Sequence, residues 1–517
     1  MAISDVRQSQ EYEIAKANIA DRQWRLNHLY WIQDKEGDEV LYKHKPAQQQ
    51  FYDEQHYRDL IVKGRQIGFS TEIAILTLDD LIFRRNTRAA IIDATLGDAK
   101  KKLSKIKFAY DRMPPTIRAT RNLINANTEH LKFSNNSEIS VGTTFRGDTP
   151  QILHVSEYGK ISQNSPETAK EIKLGAFNAV GKNGKIYVEA TAHGNSGEFY
   201  DMVQRAMALA ASGLPLTNLD FKLHFFPWHV DPEYRLPAHQ VILTQDLIDY
   251  FRDLKVTHGI EIDAEQMAWY AKMYSDQGPD DMKSEYPSRI GECFAASVQG
   301  AYFKREMERA RIDKRVGLPM PWDPTRPVNT FWDIGMDDEN CIWFHQTDSV
   351  RHRLIDFYKN SGEGLAHYVD IINKKREERG FVYGKHYGPH DLEVRDWSAQ
   401  GAKPRKVIAA ELGLKFEVVP RIEDKADAIE AARRFLATTW IDSVHCSEGE
   451  KGLDNYRKKW NKTIGAWGSD PVHDFASHIA DALMTGACGV VPDRVPRSAR
   501  RGVHSASSSS GPTHWSS

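Results

Sequence analysis

The sequence predicts an α/β protein built on doubly wound sheets, and three observations point there. Short apolar runs such as Asp59–Val62, Ala89–Ile92, Ile152–Val155 and Lys185–Glu189 alternate with helical segments, the pattern of a parallel sheet covered by crossover helices. The first run opens into a glycine-rich turn, Lys63-Gly-Arg-Gln-Ile-Gly-Phe-Ser-Thr71, ahead of a helical stretch that reaches Phe83. In the C-terminal half, acids recur at the ends of further strand patterns.

The turn has the shape of a phosphate-cradling loop, in which backbone N–H groups at a helix start surround phosphates and a Ser/Thr hydroxyl ligates Mg2+. Gly68, Ser70 and Thr71 are in place, but Phe69 stands where lysine is usual, so the cation must come from Lys63 at the front of the loop and from Arg65 within it. Alone, the turn also fits a plain glycine link between a strand and an amphipathic helix. About ninety residues on, the strand pattern Gln151–Val155 ends in Ser156-Glu157. A P-loop enzyme places its acids there: Glu157 would polarise the attacking water as general base, while Ser156 occupies the position of a metal-holding aspartate and weakens the case for Mg2+. An exposed glutamate at a strand end is the plain alternative. Gln48, after Pro46, suits an adenine edge because its amide donates and accepts at once, and it suits a polar helix start equally well.

Length and charge bound the reading. A chain of 517 residues holds two to four domains. A net charge of −2 with 27% charged residues excludes a polybasic nucleic-acid coat, so any DNA contact comes from local patches. One such patch is Lys100–Lys102 with Lys105 and Lys107, on a helix, although a charge run is usually a solvated face. Four scattered cysteines without a C-x-x-C pair argue for a reducing compartment and against a zinc or disulfide framework. No apolar run approaches a membrane span and the N-terminus has no apolar signal core, so a soluble, cytoplasmic protein with no membrane partner is expected.

The chain divides into a helical N-terminal appendage (1–40), a first α/β domain (41–240), a helical linker or lid subdomain rich in proline at its end (241–325), a second α/β domain (326–490) and a Ser/Arg-rich tail (491–517) read as disordered. In the second domain, Thr330–Asp333 and Cys341–Phe344 read as a hairpin whose first strand presents Asp333; Pro389-His-Asp391 ends another strand; and His473-Asp474 opens a helix. Asp474, His478 and Asp481 stand at i, i+4 and i+7 and share one face. Acids from two strand ends and a helix can converge on two divalent ions to activate water for phosphodiester cleavage. Two carboxylates about 4 Å apart repel by about 4 kcal/mol at an effective dielectric near 20, so such a cluster calls for cations. Taken singly, each aspartate also fits a helix cap or a solvated acid.

In order along the chain, Lys63–Thr71, Thr144-Phe-Arg-Gly147, His154–Lys160 and Glu189-Ala-Thr-Ala192 resemble the ATPase motifs of the large terminase subunit of tailed bacteriophages, with Phe225–Trp228 and Glu285–Pro287 fitting the same set. Some terminases also carry the P-loop lysine at the front of the motif. The resemblance spans about residues 40–490 and extends to the Asp-Ile-Gly, His-Asp and His-Asp-Phe-Ala-Ser-His-Ile-Ala-Asp-Ala runs of the second domain. It implies a P-loop ATPase domain of the ASCE type followed by an RNase H-like nuclease domain. On that likeness Gln48, Lys63, Arg65, Gly68, Ser70 and Thr71 hold Mg·ATP, Arg146 acts as an arginine finger and Thr191 couples hydrolysis to movement. Asp333, Asp391 and Asp474 become ligands of Mg2+ or Mn2+, with Asp481 a fourth, while His473 and His478 tune the site or pack beside it. The implied partners are double-stranded DNA, a small terminase subunit, a portal protein and further copies in a pentameric ring, in the cytoplasm of an infected bacterium. A helicase or remodelling ATPase without a nuclease, or an RNase H-like nuclease with a non-motor ATPase domain, is the alternative.

Overall fold

The computed structural model describes residues 3–145, 149–294, 300–334, 339–348, 350–394, 403–421, 424–461 and 466–490. The chain forms two compact units, Met1–Val298 and Gln299–Ser517.

In the first unit a two-stranded ribbon, β1 (Trp31–Gln33) and β2 (Glu39–Leu41), precedes a sheet made of β3 (Arg58–Lys63), β4 (Arg88–Ile92), β5 (Leu123–Ala126), β6 (His130–Phe133), β7 (Glu138–Gly142), β8 (Ile152–Ser156), β9 (Lys185–Ala190) and β10 (Phe221–Phe226). Their order across the sheet is β10-β3-β9-β8-β4-β7-β6-β5. The pairs from β10 through to β7 are parallel, and β6 runs antiparallel to both β5 and β7. Parallel strands are covered on both faces and read as continuous apolar runs. β3 shows why: Ile61 faces the core built by the Phe69–Phe83 helix, whereas Leu60 and Val62 face the core that holds Val155, Val188 and Phe199. One strand, β9, separates the loop-bearing β3 from β8, whose end carries Glu157. That is the ASCE arrangement of a P-loop sheet.

Part of the expected 1–40 appendage packs into the first unit. Leu26, Leu29 and Tyr30 lie in the same core as Phe51, Phe69 and Ile73. Arg25 makes a forked pair with the buried Asp79 of the Phe69–Phe83 helix, at 2.8 and 2.7 Å, and the Tyr30 hydroxyl donates to the same carboxylate at 2.8 Å. The stretch expected as a linker is also divided: Leu247, Phe251, Leu254, Tyr270 and Tyr286 pack on Trp228 in the first unit, while Phe303, Met307 and Ala310 join the core of the second. The 491–517 tail lies outside the described residues.

The second unit carries β11 (Val328–Asp333), β12 (Asn340–Thr347), β13 (His352–Asn360), β14 (Tyr383–Gly388), β15 (Phe416–Val418) and β16 (Thr439–Ile441), ordered β15-β14-β11-β12-β13-β16. A ribbon of β17 (Lys458–Asn461) and β18 (Ala466–Pro471) follows. β11, β12 and β13 form an antiparallel meander, and β14 and β15 add in parallel beside β11, the strand order of an RNase H-like sheet. The Phe475–Val490 helix crosses the centre of this sheet so closely that a Cβ on Gly486 would overlap the Phe331 ring. The Trp343 indole donates to its Ile479 carbonyl at 3.0 Å, which fixes the helix over β12.

Among the described residues no helix is long and apolar enough to cross a membrane. All four cysteines are free thiols.

Candidate functional site

The glycine turn folds as a loop leading from β3 into the Phe69–Phe83 helix. Gly68 caps that helix with φ 93°, a left-handed conformation open to glycine, and a Cβ there would come within 2.9 Å of the Gln48 amide. Gln48 uses both ends of its amide on backbone, donating to the Gly68 carbonyl at 3.1 Å and accepting from the Lys45 N–H at 2.9 Å. In this state it braces the loop. The Phe225–Trp228 and Glu285–Pro287 runs do the same: the Gly64 N–H donates to the Phe226 carbonyl at 2.8 Å, and the Arg65 N–H to the Glu285 carbonyl at 2.7 Å.

At the base of the loop stands a residue to which the sequence alone assigned no role. Glu189, fully buried on β9, lies 3.2 Å from Lys63 Nζ through its Oε2 and accepts from the Ser70 hydroxyl at 2.5 Å through Oε1. Ser156, its register partner on β8, donates to the same Oε1 at 2.8 Å, and His154 Nε2 approaches it at 3.3 Å. The available signal was one acid inside the apolar run Lys185-Ile-Tyr-Val-Glu189, because an unpaired charge is not buried without a partner.

The electrostatics follow from this packing. Burial opposes the charge on Glu189, but Lys63 and His154 outweigh it and hold the carboxyl well below the usual carboxylate range. Burial likewise opposes the charge on Lys63, and Glu189 followed by Glu157 overcomes it, so the ammonium sits above its ordinary value. Glu157 is pushed up by burial, with Lys63 pulling against it. Its φ of 54° is left-handed, a conformation that costs a non-glycine residue about 1 kcal/mol or more and gathers at working sites. Glu157 directly follows β8 and is close enough to Lys63 for the two charges to act on each other.

The other nucleotide candidates are placed as follows. Thr71 Oγ1 accepts from Lys105 Nζ at 3.1 Å, so one lysine of the 100–107 run turns to the loop. Lys100 pairs with Glu129 and Lys107 with Asp111, so these two are engaged within the unit. Arg65 is 56% exposed and pairs with Glu285 at 3.3 Å; the structure does not bring it to the Lys63–Glu189 centre. Thr191 is buried just beyond β9, its hydroxyl 3.2 Å from His193 Nε2, and burial lowers that imidazole to about 4. Arg146 lies outside the described residues.

In the second unit Asp333 closes β11, and Phe331 stands opposite Tyr387 on β14, so Asp333 and Asp391 leave the same edge of neighbouring parallel strands. Asp333 Oδ2 is 3.0 Å from His478 Nδ1. Burial pushes the Asp333 carboxyl up, and the nearby Asp481 carboxylate adds to this against the pull of His478. Asp481 itself pairs with Lys425. Asp474 is differently employed: it caps the Phe475–Val490 helix by accepting from the Ala476 N–H at 3.0 Å and takes an ion pair from Arg457 at 2.9 Å. Asp391 is 53% exposed beside His390. The structure thus brings Asp333, His478 and Asp481 together and leaves Asp474 and Asp391 on other partners. His473 packs edge-on against His478, with ring centroids 5.1 Å apart. Among the described residues no three His, Cys, Asp or Glu side chains are arranged to hold a metal ion.

No protein-family model and no curated protein matches the chain. Solved structures do. The HK97 bacteriophage large terminase is 12% identical, with a TM-score of 0.44 over 92% of this chain and 98% of its own. A large terminase from a thermophilic bacteriophage is 10% identical, with a TM-score of 0.32 over 86% of this chain and 98% of its own. The large terminase nuclease from thermophilic phage G20c, solved with bound cobalt, is 14% identical, with a TM-score of 0.27 over 37% of this chain and 97% of its own. What the chain resembles among known structures is the large terminases.

Proposed function

We propose that this protein is an ATP-driven motor that translocates double-stranded viral DNA into a procapsid and, through its second unit, cuts concatemeric DNA. The observation that carries this reading is the meeting of Lys63 and Ser70 on Glu189 at the C-terminal ends of β3 and β9, with Glu157 following the neighbouring β8, where an open α/β sheet binds its ligands. A lysine at the front of the loop and a hydroxyl at its end converge on one carboxylate, so the loop folds as a phosphate loop needs to, despite Phe69.

The donor set fits Mg·ATP: a hydroxyl and a carboxylate are the hard oxygen ligands Mg2+ takes beside phosphate oxygens and water. The cation neutralises charge on the phosphates when bound. Lys63 leaves Glu189 to meet the phosphates, and the N–H groups after Gly68 supply further positive ends at the helix start. Glu157, held off the end of β8, accepts a proton from the attacking water, a role worth about 10² to 10⁴ in rate. The arginine-finger role toward a neighbouring subunit of a pentameric ring is assigned to Arg146, outside the described residues, and Thr191, buried next to Gly159 of the Glu157 helix, passes the change onward.

In the second unit the acids do not stand as a ready three-ligand set, so no metal step is drawn there. Cleavage is assigned to Asp333 with Asp481, at the edge where β11 and the Phe475–Val490 helix meet. The expected partners are a small terminase subunit, a portal protein and duplex DNA gripped by salt-sensitive phosphate contacts. Purified full-length chain with plasmid and Mn2+ tests the pairing of activities: the motor reading predicts duplex-stimulated ATP turnover and plasmid cutting. A remodelling ATPase would turn over ATP without cutting, and a nuclease with a non-motor ATPase domain would cut with no stimulation by duplex.

A further inference from the structure

We infer that Glu189 supplies the Mg2+-holding carboxylate of the nucleotide site, from β9, in place of the aspartate that the end of β8 lacks. This rests on the nucleotide-site reading above and deepens it.

The position to be filled is Ser156. In P-loop enzymes an aspartate on this strand helps hold the cation that the loop Ser/Thr ligates. Serine's neutral hydroxyl cannot supply that charge. Glu189 is its register partner on the adjacent parallel strand, and neighbouring strands lie about 4.8 Å apart, a gap that a glutamate side chain spans. The contacts show the exchange of roles. The Ser70 hydroxyl, the loop's cation ligand, donates to Glu189 Oε1 at 2.5 Å, and Ser156 donates to the same oxygen at 2.8 Å. Ser156 thereby aims the carboxylate that stands in for its own missing one.

A second observation points to a ligand. Glu189 Oε2 is buried, and the partner given for it among the described residues is the Lys63 ammonium, in an ion pair at 3.2 Å. When phosphates draw Lys63 away, a buried carboxylate is left without its cation, and breaking a buried pair from one side is strongly unfavourable. Glu189 would then hold, in that place, the divalent cation that accompanies the nucleotide. Lys63 and Mg2+ are then alternating partners of one carboxylate, and nucleotide binding is coupled to Mg2+ through Glu189. If Glu189 were only a resting partner for Lys63, Mg2+ dependence would not pass through it.

The test is the affinity of the full-length chain for a fluorescent ADP analogue, with Mg2+ and with EDTA, alongside Mn2+ binding followed by electron paramagnetic resonance. In wild type Mg2+ tightens nucleotide binding, and in Glu189→Gln that enhancement falls about tenfold or more while Mg2+-free binding is kept or improved, because Lys63 is already released. The nucleotide-dependent Mn2+ signal falls with it. Glu189→Asp keeps the charge that Lys63 needs in the fold but withdraws it from Ser70, so it should lose enhancement even if the glutamine variant does not fold. Adding Ser156→Asp to Glu189→Gln should restore part of the enhancement. Wild-type-like Mg2+ enhancement in either folded single variant overturns the inference and leaves the nucleotide site intact. A wild-type chain that binds no nucleotide overturns both.

Discussion

Lys63 Nζ and Glu189 Oε2 lie 3.2 Å apart in a buried ion pair at the base of the P-loop. The pair joins the end of β3 to the neighbouring strand β9, and it makes the loop's one substituted position intelligible: the cation displaced from position 69 is already lodged where the loop closes. Its place at 69 is taken by a ring that packs between Phe51 and Phe226, with centroids 5.6 and 4.5 Å away.

A buried pair is costly to break from one side. Lys63→Ala should destabilise the nucleotide-free chain by about 3 to 5 kcal/mol, whereas Lys63→Met combined with Glu189→Gln should recover most of the loss. Urea unfolding of the single and double variants measures both. A single variant as stable as wild type would mean that the pair carries no strain of this kind.

Glu157 predicts a pH signature. Its carboxyl is raised by burial, so the folded chain keeps this proton to higher pH than the unfolded chain. The associated stability is fully present below the unfolded value of about 4.3 and is lost as pH rises through the folded one. Glu157→Gln, which does not titrate, should therefore raise the melting temperature near neutral pH, with the gain shrinking toward about pH 4. Turnover should drop by about 10² or more with nucleotide binding retained, as calorimetric melts and single-turnover hydrolysis would register.

Much of this was legible in the chain, and the failures share a cause. β3, β8, β9 and the loop announce themselves because apolar runs and a glycine turn are local signals. Partnerships are not local. Arg25 and Asp79 look like solvated charges until the fold places them 2.7 Å apart in the core, which is why the first forty residues read as an appendage. Glu189 looks like a strand-end acid until its register with Ser156 is known. Asp474 shares a helical phase with Asp481, yet helix starts recruit acids as caps, and Arg457 completes that use. Phase along one helix could not show which way the first carboxylate turns.

The N-terminal segment gives its own check. Arg25→Ala removes the forked partner of Asp79 and leaves that carboxylate to Arg22 at 3.3 Å and the Tyr30 hydroxyl, so a loss of about 1.5 to 3 kcal/mol is expected, and removing residues 1–30, which takes all three groups, should leave a chain that does not fold. Soluble, nucleotide-binding protein from the truncated gene would restore the appendage view.

In the second unit the acids should separate by role. Asp333→Asn and Asp481→Asn should abolish plasmid cutting with Mn2+ while leaving ATP turnover in place. Asp474→Asn should chiefly cost stability, about 1 kcal/mol for a weakened cap and a lost ion pair. A gel assay beside thermal melts distinguishes them. Full cutting by Asp333→Asn would remove the nuclease assignment.

The most direct measurement is steady-state ATP turnover by the full-length chain, with and without duplex DNA, comparing wild type with Lys63→Ala under conditions where both are folded. The account predicts duplex-stimulated turnover in wild type and a loss of about 10²-fold or more in the variant. Turnover that survives the removal of Lys63 would contradict it.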